Sequence, residues 1–285
     1  MVNTLQRAKI AEHTLSIIDD GAYINFSGEK VDISDEVEYS IKNSELYTPE
    51  MLDNIGDEVQ EIINNNQKKK TMIKVNNETT LKAARRLKEE ESYDKVVCLN
   101  FASAKHPGGG FLNGSSAQEE SLARSSALYP CIKQMDEMYE ANKNYDSALY
   151  LDYMIYSPQV PVFRRDDGHL LDKPYKVSFV TSPAVNAGVV CSRESKENIA
   201  KIGDKMKERI EKILSISVVN DADALVLGAF GCGVFKNDPE EVANYFRQLI
   251  IEDDRFNSYF QKLVFAVLDR SQKKTTYNIF KRKLL

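Results

Sequence analysis

Hydrophobic residues recur at helical spacing in the first part of this chain, and short apolar runs join them further on. Residues 3–19 carry Leu5, Ala8, Ile10, Ala11, Leu15 and Ile18 on one helical face, and Gly21 closes that stretch. Thr48-Pro49 reads as an N-cap followed by a first-turn proline, ahead of a stripe at Leu52, Ile55, Val59, Ile62 and Ile63. Asn64-Asn65-Asn66 and Lys68-Lys69-Lys70 are expected to end that helix in a solvated turn. From residue 71 the pattern changes. Residues 71–75 read as a strand and 79–90 as a helix, while Val96-Val97-Cys98-Leu99 is a continuous apolar run suited to a strand covered on both faces. Similar runs recur at 177–180, 224–227 and 263–268. Between them, Ile199, Ile202, Met206, Ile210 and Ile213 share one face of a helix over 195–214, and Asp238-Pro239 opens another over 238–252. Strand and helix alternating in this way predict an α/β layered sheet.

Glycine placement adds a candidate site. Of the 13 glycines, seven fall in two segments, Gly108, Gly109, Gly110 and Gly114 in one and Gly228, Gly231 and Gly233 in the other. Each segment follows an apolar strand run and precedes a helical stretch. Ligands of open α/β sheets gather at the carboxyl ends of strands, and glycine lets consecutive backbone amides converge on an anion. Two such loops in one sheet point to a diphosphate or nucleotide. Neither loop matches GxxxxGK[ST] or a GxGxxG opening a helix, which removes the simplest NTPase and dehydrogenase readings.

Composition narrows the class without changing it. A net charge of -5 over 285 residues argues against a general nucleic-acid binder, so DNA is not an expected partner. Cys98, Cys131, Cys191 and Cys232 form no CxxC pair, and His13, His106 and His169 show no ligand spacing, so neither a metal nor another cofactor is expected. With no signal-like start and no long apolar run, the expectation is a cytoplasmic monomer with no membrane partner. Asp166-Asp167-Gly168 and Asp253-Asp254 read as turns, and Lys281-Arg282-Lys283 as a solvated tail.

Seven residues separate Gly110 from Gln118-Glu119-Glu120, which opens a helical stretch. Acids in a first turn complement the helix dipole whatever else they do. Beside a glycine loop, however, a carboxyl held protonated by burial and neighbouring negative charge can act as a general acid on a leaving sugar oxygen. The stretch from Asn100-Phe101-Ala102-Ser103 through Gly108-Gly109-Gly110 to Gln118-Glu119-Glu120 resembles the signature of the microbial-type poly(ADP-ribose) glycohydrolases. The segment 228–237, Thr181-Ser182-Pro183-Ala184-Val185-Asn186 and the opening helix are similar to other parts of that family, so the resemblance spans nearly the whole chain. Ser103 stands where ordinary macrodomains commonly carry a second asparagine, which disfavours a plain ADP-ribose reader.

The resemblance implies a macrodomain-like mixed sheet with helices on both faces. It divides the chain into a mainly helical extension, 1–90, packed on a catalytic core, 91–285. It implies ADP-ribose or its polymer as ligand, free or attached to protein, and hydrolysis of ribose–ribose bonds without a metal. Glu120 is the expected proton donor, with Glu119 in support. Gln118 and Glu119 are expected to position riboses, and Asn100, Gly108, Gly109 and Gly110 to line the terminal one. Gly231, Cys232, Gly233, Val234 and Phe235 are expected to wrap the diphosphate, with Phe235 packing on a ribose or the adenine. Apart from the resemblance, Tyr145, Tyr150, Tyr153 and Tyr156 could supply an adenine stack, although core packing or surface placement is the expected role for any one of them. The rival functions are a mono-ADP-ribosyl hydrolase and a non-catalytic ADP-ribose reader; an α/β interaction module is the weakest.

Overall fold

The computed structural model describes residues 3–66, 70–253 and 255–285. Seven strands form one mixed sheet: β3 (Glu45–Tyr47), β4 (Met72–Asn76), β5 (Val96–Phe101), β6 (Met154–Arg164), β7 (Leu170–Ser182), β8 (Ala224–Leu227) and β9 (Lys262–Ala266). Their spatial order is β3-β6-β7-β5-β8-β9-β4, and β1 (Ala22–Ile24) with β2 (Lys30–Asp32) makes a separate hairpin. Strands β7, β5, β8, β9 and β4 run parallel, while β6 is antiparallel to both of its neighbours. All five parallel strands therefore end on one side, where the loops after them collect.

The apolar runs are explained by burial on both faces. Along β5, Val97 and Leu99 join one core while Val96 and Cys98 join the other. In the same way β8 sends Leu225 and Leu227 to the first and Ala224 and Val226 to the second. Each fully buried aliphatic side chain contributes roughly 1.5–3 kcal/mol. The first core is roofed by Gly56–Asn65, Ile202–Val219 and Pro239–Arg247, the second by Thr80–Arg85, Gln118–Ser125 and the N-terminal helix Thr4–Asp20.

Several helices differ from their sequence periods. The stripe at 52–63 is split into Pro49–Asn54 and Gly56–Asn65 at Ile55. The 195–214 stretch breaks at Lys201, leaving Ile199 37% exposed, and its second helix runs on to Val219. The basic terminus is not a solvated tail: it belongs to the helix Thr275–Leu284, which buries Phe280 and Leu284 and pairs Arg282 with Glu240. Lys68, Lys69 and Asp254 lie outside the described residues.

Residues 1–90 supply both edge strands of the sheet, β3 and β4. Their first helix is also bound into the core, because Thr14 Oγ1 donates to Arg124 O at 2.6 Å and Arg7 Nε donates to Gly114 O at 2.6 Å. Among the described residues no helix is long and apolar enough to cross a membrane.

Candidate active site

Strand β5 ends at Phe101, and the chain returns to the sheet as the helix Gln118–Ser125. The Gln118 side chain fastens the two together. Its Nε2 donates to Leu99 O at 2.7 Å and to Thr80 Oγ1 at 3.1 Å, while its Oε1 accepts the Phe101 N–H at 2.9 Å. The amide is thus tied to the end of β5, directly before the two acids.

Glu119 and Glu120 are 3% and 9% exposed. Glu119 Oε2 accepts the Ser103 N–H at 2.7 Å, and its Oε1 lies 3.5 Å from Asn100 Nδ2. Burial, with Glu120's charge adding to it, pushes the Glu119 carboxyl up to about 8, which favours its protonated form. Glu120 Oε1 accepts the Gly110 N–H at 3.1 Å and Oε2 the Ala117 N–H at 3.0 Å. The second bond reaches from the third helical residue back to the N-cap, so Glu120 also closes the start of its helix. Gly109 holds the loop against both acids. At φ +57° it has no room for a side chain: a Cβ there would lie 2.6 Å from Glu120 Oε1 and 3.1 Å from Glu119 Oε2.

Asn100, expected at the terminal ribose, is fully buried at the end of β5, and its Nδ2 faces Glu119 and Thr181 Oγ1, the latter at 3.1 Å. Its Oδ1 is a buried acceptor with no partner among the described residues.

The second glycine loop follows β8, the neighbour of β5, and the two meet where Phe101 packs on Phe230 with ring centroids 5.7 Å apart. Gly231, at φ +72°, leaves space for Asn237, whose Nδ2 donates to Val185 O at 2.7 Å and to Gly231 O at 3.1 Å. Phe235 O accepts the Gly188 N–H at 3.0 Å. The segments after β7 and β8 are thereby tied together. Among the described residues nothing accepts the N–H groups of Gly233, Val234 or Phe235, and Gly233 and Val234 are exposed. Such a turn suits an anion. Cys232 is half-buried, and burial pushes its thiol up to about 12, which makes it an inert part of the loop.

Beside Phe235 the structure places Tyr150, ring centroids 6.1 Å apart, so the pair offers an aromatic face. Of the other candidates, Tyr156 is buried in the core and Tyr153 donates its hydroxyl to Glu137. Sequence reading overlooked what holds Tyr150: the buried Arg209 donates to Tyr150 O at 3.0 Å, Pro183 O at 3.1 Å and Asp152 Oδ1 at 2.7 Å. It also overlooked Arg124, one helical turn beyond Glu120, and Arg164 at the end of β6; neither lies in a recognisable motif. Asp166-Asp167-Gly168 is the turn between β6 and β7, and among the described residues no group of three metal-ligating side chains occurs.

Two adjacent buried acids, one pushed toward its protonated form by burial, packed under a glycine loop on a doubly covered mixed sheet, fit the class of macrodomain-like glycosidases. Comparison with known proteins carries this further. Residues 11–165 match the model of the microbial-type PARG catalytic domain. The chain is similar to the poly(ADP-ribose) glycohydrolase of Thermomonospora curvata, with 41% identity, 98% of this chain and 100% of that chain covered, and a TM-score of 0.92. A structure of that protein bound to the inhibitor ADP-HPD matches at 41% identity over the same shares, with a TM-score of 0.89. The Deinococcus radiodurans glycohydrolase in complex with ADP-ribose is 39% identical over 87% of this chain and 96% of that one, with a TM-score of 0.80. No curated protein matches. The chain belongs to the microbial-type poly(ADP-ribose) glycohydrolase family, whose glycosidase members hydrolyse the O-glycosidic bonds of ADP-ribose polymers.

Proposed function

We propose that Glu120 is the carboxyl that meets the ribose–ribose oxygen of an ADP-ribose polymer, and that Glu119 brings the proton with which the reaction begins. The observation that carries this is the pair itself: two buried acids against the same glycine, Gly109, one of them pushed toward its protonated form by burial. The proton passes through the pair to the bridging oxygen as the bond from that oxygen to the anomeric carbon breaks, its electrons leaving with the oxygen. The departing chain gains a ribose hydroxyl. Water adds to the oxocarbenium-like carbon and returns its proton to the pair, so one water is consumed and the acids are restored.

Gly108, Gly109 and Gly110 line the terminal ribose in this reading, while the amides of Gly231 to Phe235 hold the diphosphate. The face made by Phe235 and Tyr150 takes the adenine or its ribose. ADP-ribose in the Deinococcus relative and ADP-HPD in the Thermomonospora relative support the same ligand class here. Polymer attached to protein is the proposed natural form of the substrate.

The test incubates the protein with poly(ADP-ribose) and, separately, with mono-ADP-ribosylated protein, and identifies products by mass. Free ADP-ribose from polymer is expected, and Glu120→Gln should slow it by about 10²–10⁴-fold while leaving ADP-ribose binding intact. That variant loses one of the two N–H acceptors Glu120 provides, a stability cost of about 1–2 kcal/mol that thermal unfolding would register separately. Release by Glu120→Gln at near wild-type rate would remove the residue from the mechanism. Binding without release from either substrate would make the protein a reader.

A further inference from the structure

We propose that Arg124, Arg164 and Arg165 form a second anion site beside Ser121, which takes the diphosphate of the polymer unit on the departing side of the scissile bond. The proposal rests on the glycohydrolase reading above.

Arg164 is the telling residue. It is 4% exposed, and no carboxylate lies within ion-pairing distance of it among the described residues. Its Nη1 donates to Gly168 O at 2.7 Å, its Nη2 meets His13 Nδ1 at 3.2 Å, and its Nε is buried with no partner. A buried guanidinium ordinarily finds an acid, because burying an uncompensated charge is costly. The same fold does this for Arg209, which is fully buried on Asp152. Arg124 repeats the anomaly at 7% exposure, spending Nη1 on Ser115 O at 2.6 Å and reaching Ser121 Oγ at 3.5 Å with Nη2. Burial pulls both arginines down to about 10, in Arg124 against the opposing pull of the Glu120 charge.

These side chains surround one space. Ser121, Arg124, Arg164 and Arg165 line a cavity of about 40 Å³, with Arg7 and the acid Asp166 also on its wall. Through Arg164, Arg165 and Gly168 it adjoins a groove of about 950 Å³ that continues past His169 and Lys173. The acids nearby are largely engaged. Asp166 accepts the Thr79 hydroxyl at 2.6 Å, Glu89 pairs with Arg85 at 2.5 Å, and Asp167 lies 3.5 Å from Arg165 and 3.0 Å from His169. Asp172 also borders the groove. In a chain of net charge -5, two buried arginines with no carboxylate at ion-pairing distance among the described residues are a local exception.

Its place fits the chemistry. Ser121 follows Glu120 directly, and Arg124 lies one turn further along the same helix, close enough to feel the Glu120 charge. In an ADP-ribose polymer the oxygen that leaves belongs to a ribose whose 5′ carbon carries the next diphosphate. One diphosphate would then rest on the loop after β8, and the next on the arginines, with Glu120 between them. Guanidinium groups suit this role because their planar fork bonds phosphate oxygens in pairs.

The experiment titrates inorganic pyrophosphate into protein already saturated with ADP-ribose, for wild type, Arg164→Gln and Arg165→Gln. A second arm measures kcat and KM on polymer and on an ADP-ribose aryl glycoside, whose leaving group has no phosphate. Pyrophosphate should bind the saturated wild type, and each variant should weaken it about tenfold, the worth of one charge-assisted hydrogen bond. The polymer KM should rise by a similar factor, with kcat, ADP-ribose affinity and turnover of the aryl glycoside unchanged. Absence of pyrophosphate binding to saturated wild type would overturn the site. So would pyrophosphate binding with an unaltered polymer KM in the variants, which marks a site for free phosphate only. If Arg164→Gln does not fold, the exposed Arg165 carries both arms alone. Failure of wild type on every polymer would instead sink the glycohydrolase reading, since the pyrophosphate titration does not depend on turnover.

Discussion

Replacing Glu119 with glutamine should make the protein more stable in alkali, although it removes a residue of the candidate active site. In the folded protein the Glu119 carboxyl sits at about 8, with burial as the main cause, against an ordinary value of 4.5. Folding therefore takes up a proton in that window, so stability is undiminished below 4.5 and falls as pH rises toward 8. At about 1.4 kcal/mol for each tenfold change in proton affinity, the full loss is about 5 kcal/mol. Glutamine has no proton to lose. Its oxygen can still accept the Ser103 N–H, and its Nε2 can donate to Asn100 Oδ1 once that amide turns end for end, which leaves Asn100 Nδ2 in the unpartnered position the oxygen now holds. The assay is urea unfolding at pH 5 and pH 9 for wild type and Glu119→Gln. Wild type should lose several kcal/mol more than the variant across that range, and the variant should be the more stable at pH 9. Equal losses in the two proteins, within about 0.5 kcal/mol, would show that Glu119 is not a protonated acid in the fold.

Other consequences can be checked in the same way. Asp152, whose carboxyl is held down to about 2 by Arg209 and Lys212 against the desolvation of its site, contributes stability that is present above 3.8 and lost as pH falls toward 2. Asp152→Asn should cost about 3–5 kcal/mol at neutral pH by leaving Arg209 buried and unpaired, measured by urea unfolding, and an effect under 1 kcal/mol would contradict the pairing. Gly109→Ala should abolish turnover of polymer more completely than it lowers the melting temperature, since a methyl 2.6 Å from Glu120 Oε1 must displace that carboxyl. Unchanged kcat in this variant would mean the acid does not need its present seat. A fragment of residues 91–285 should fail to fold, because it lacks both edge strands and the helix that binds Arg124 O; a cooperative unfolding transition from it would refute this.

What was legible in the sequence follows from how locally each feature is made. β5, β8 and β9 read clearly because burial on both faces leaves apolar runs, interrupted only at Asn100 and Lys262, and their lengths set them apart from helices. β3 was not foreseen: three residues at a sheet edge, one of them buried, give no period to read. β6 and the first half of β7, before the run at 177–180, escaped for the opposite reason. They form a long hairpin whose register shifts between Ser157 and Val160 and again between Val162 and Arg164, so alternation is lost where it would have shown. The break at Ile55 lies inside an unbroken helical stripe, and tertiary packing rather than periodicity decides it.

The site divides along the same line, and Glu120 shows why. Its two oxygens are satisfied by Gly110 and Ala117, its partner acid by Ser103 and Asn100, and the helix that carries both by Gln118 on β5. Every one of those groups lies between residues 99 and 120, so a compact motif could betray them. Reading the acids as a helix start and reading them as chemistry are therefore not competing accounts: the bond that caps the helix is also what fixes the carboxyl under the loop. The arginine cluster has no such locality. Arg164 meets His13 across 151 residues of sequence, Arg7 meets Gly114 across 107, and Thr14 meets Arg124 across 110. Each arginine alone resembles any surface cation. Only burial without an acid distinguishes Arg124 and Arg164, and that is a property of the folded chain.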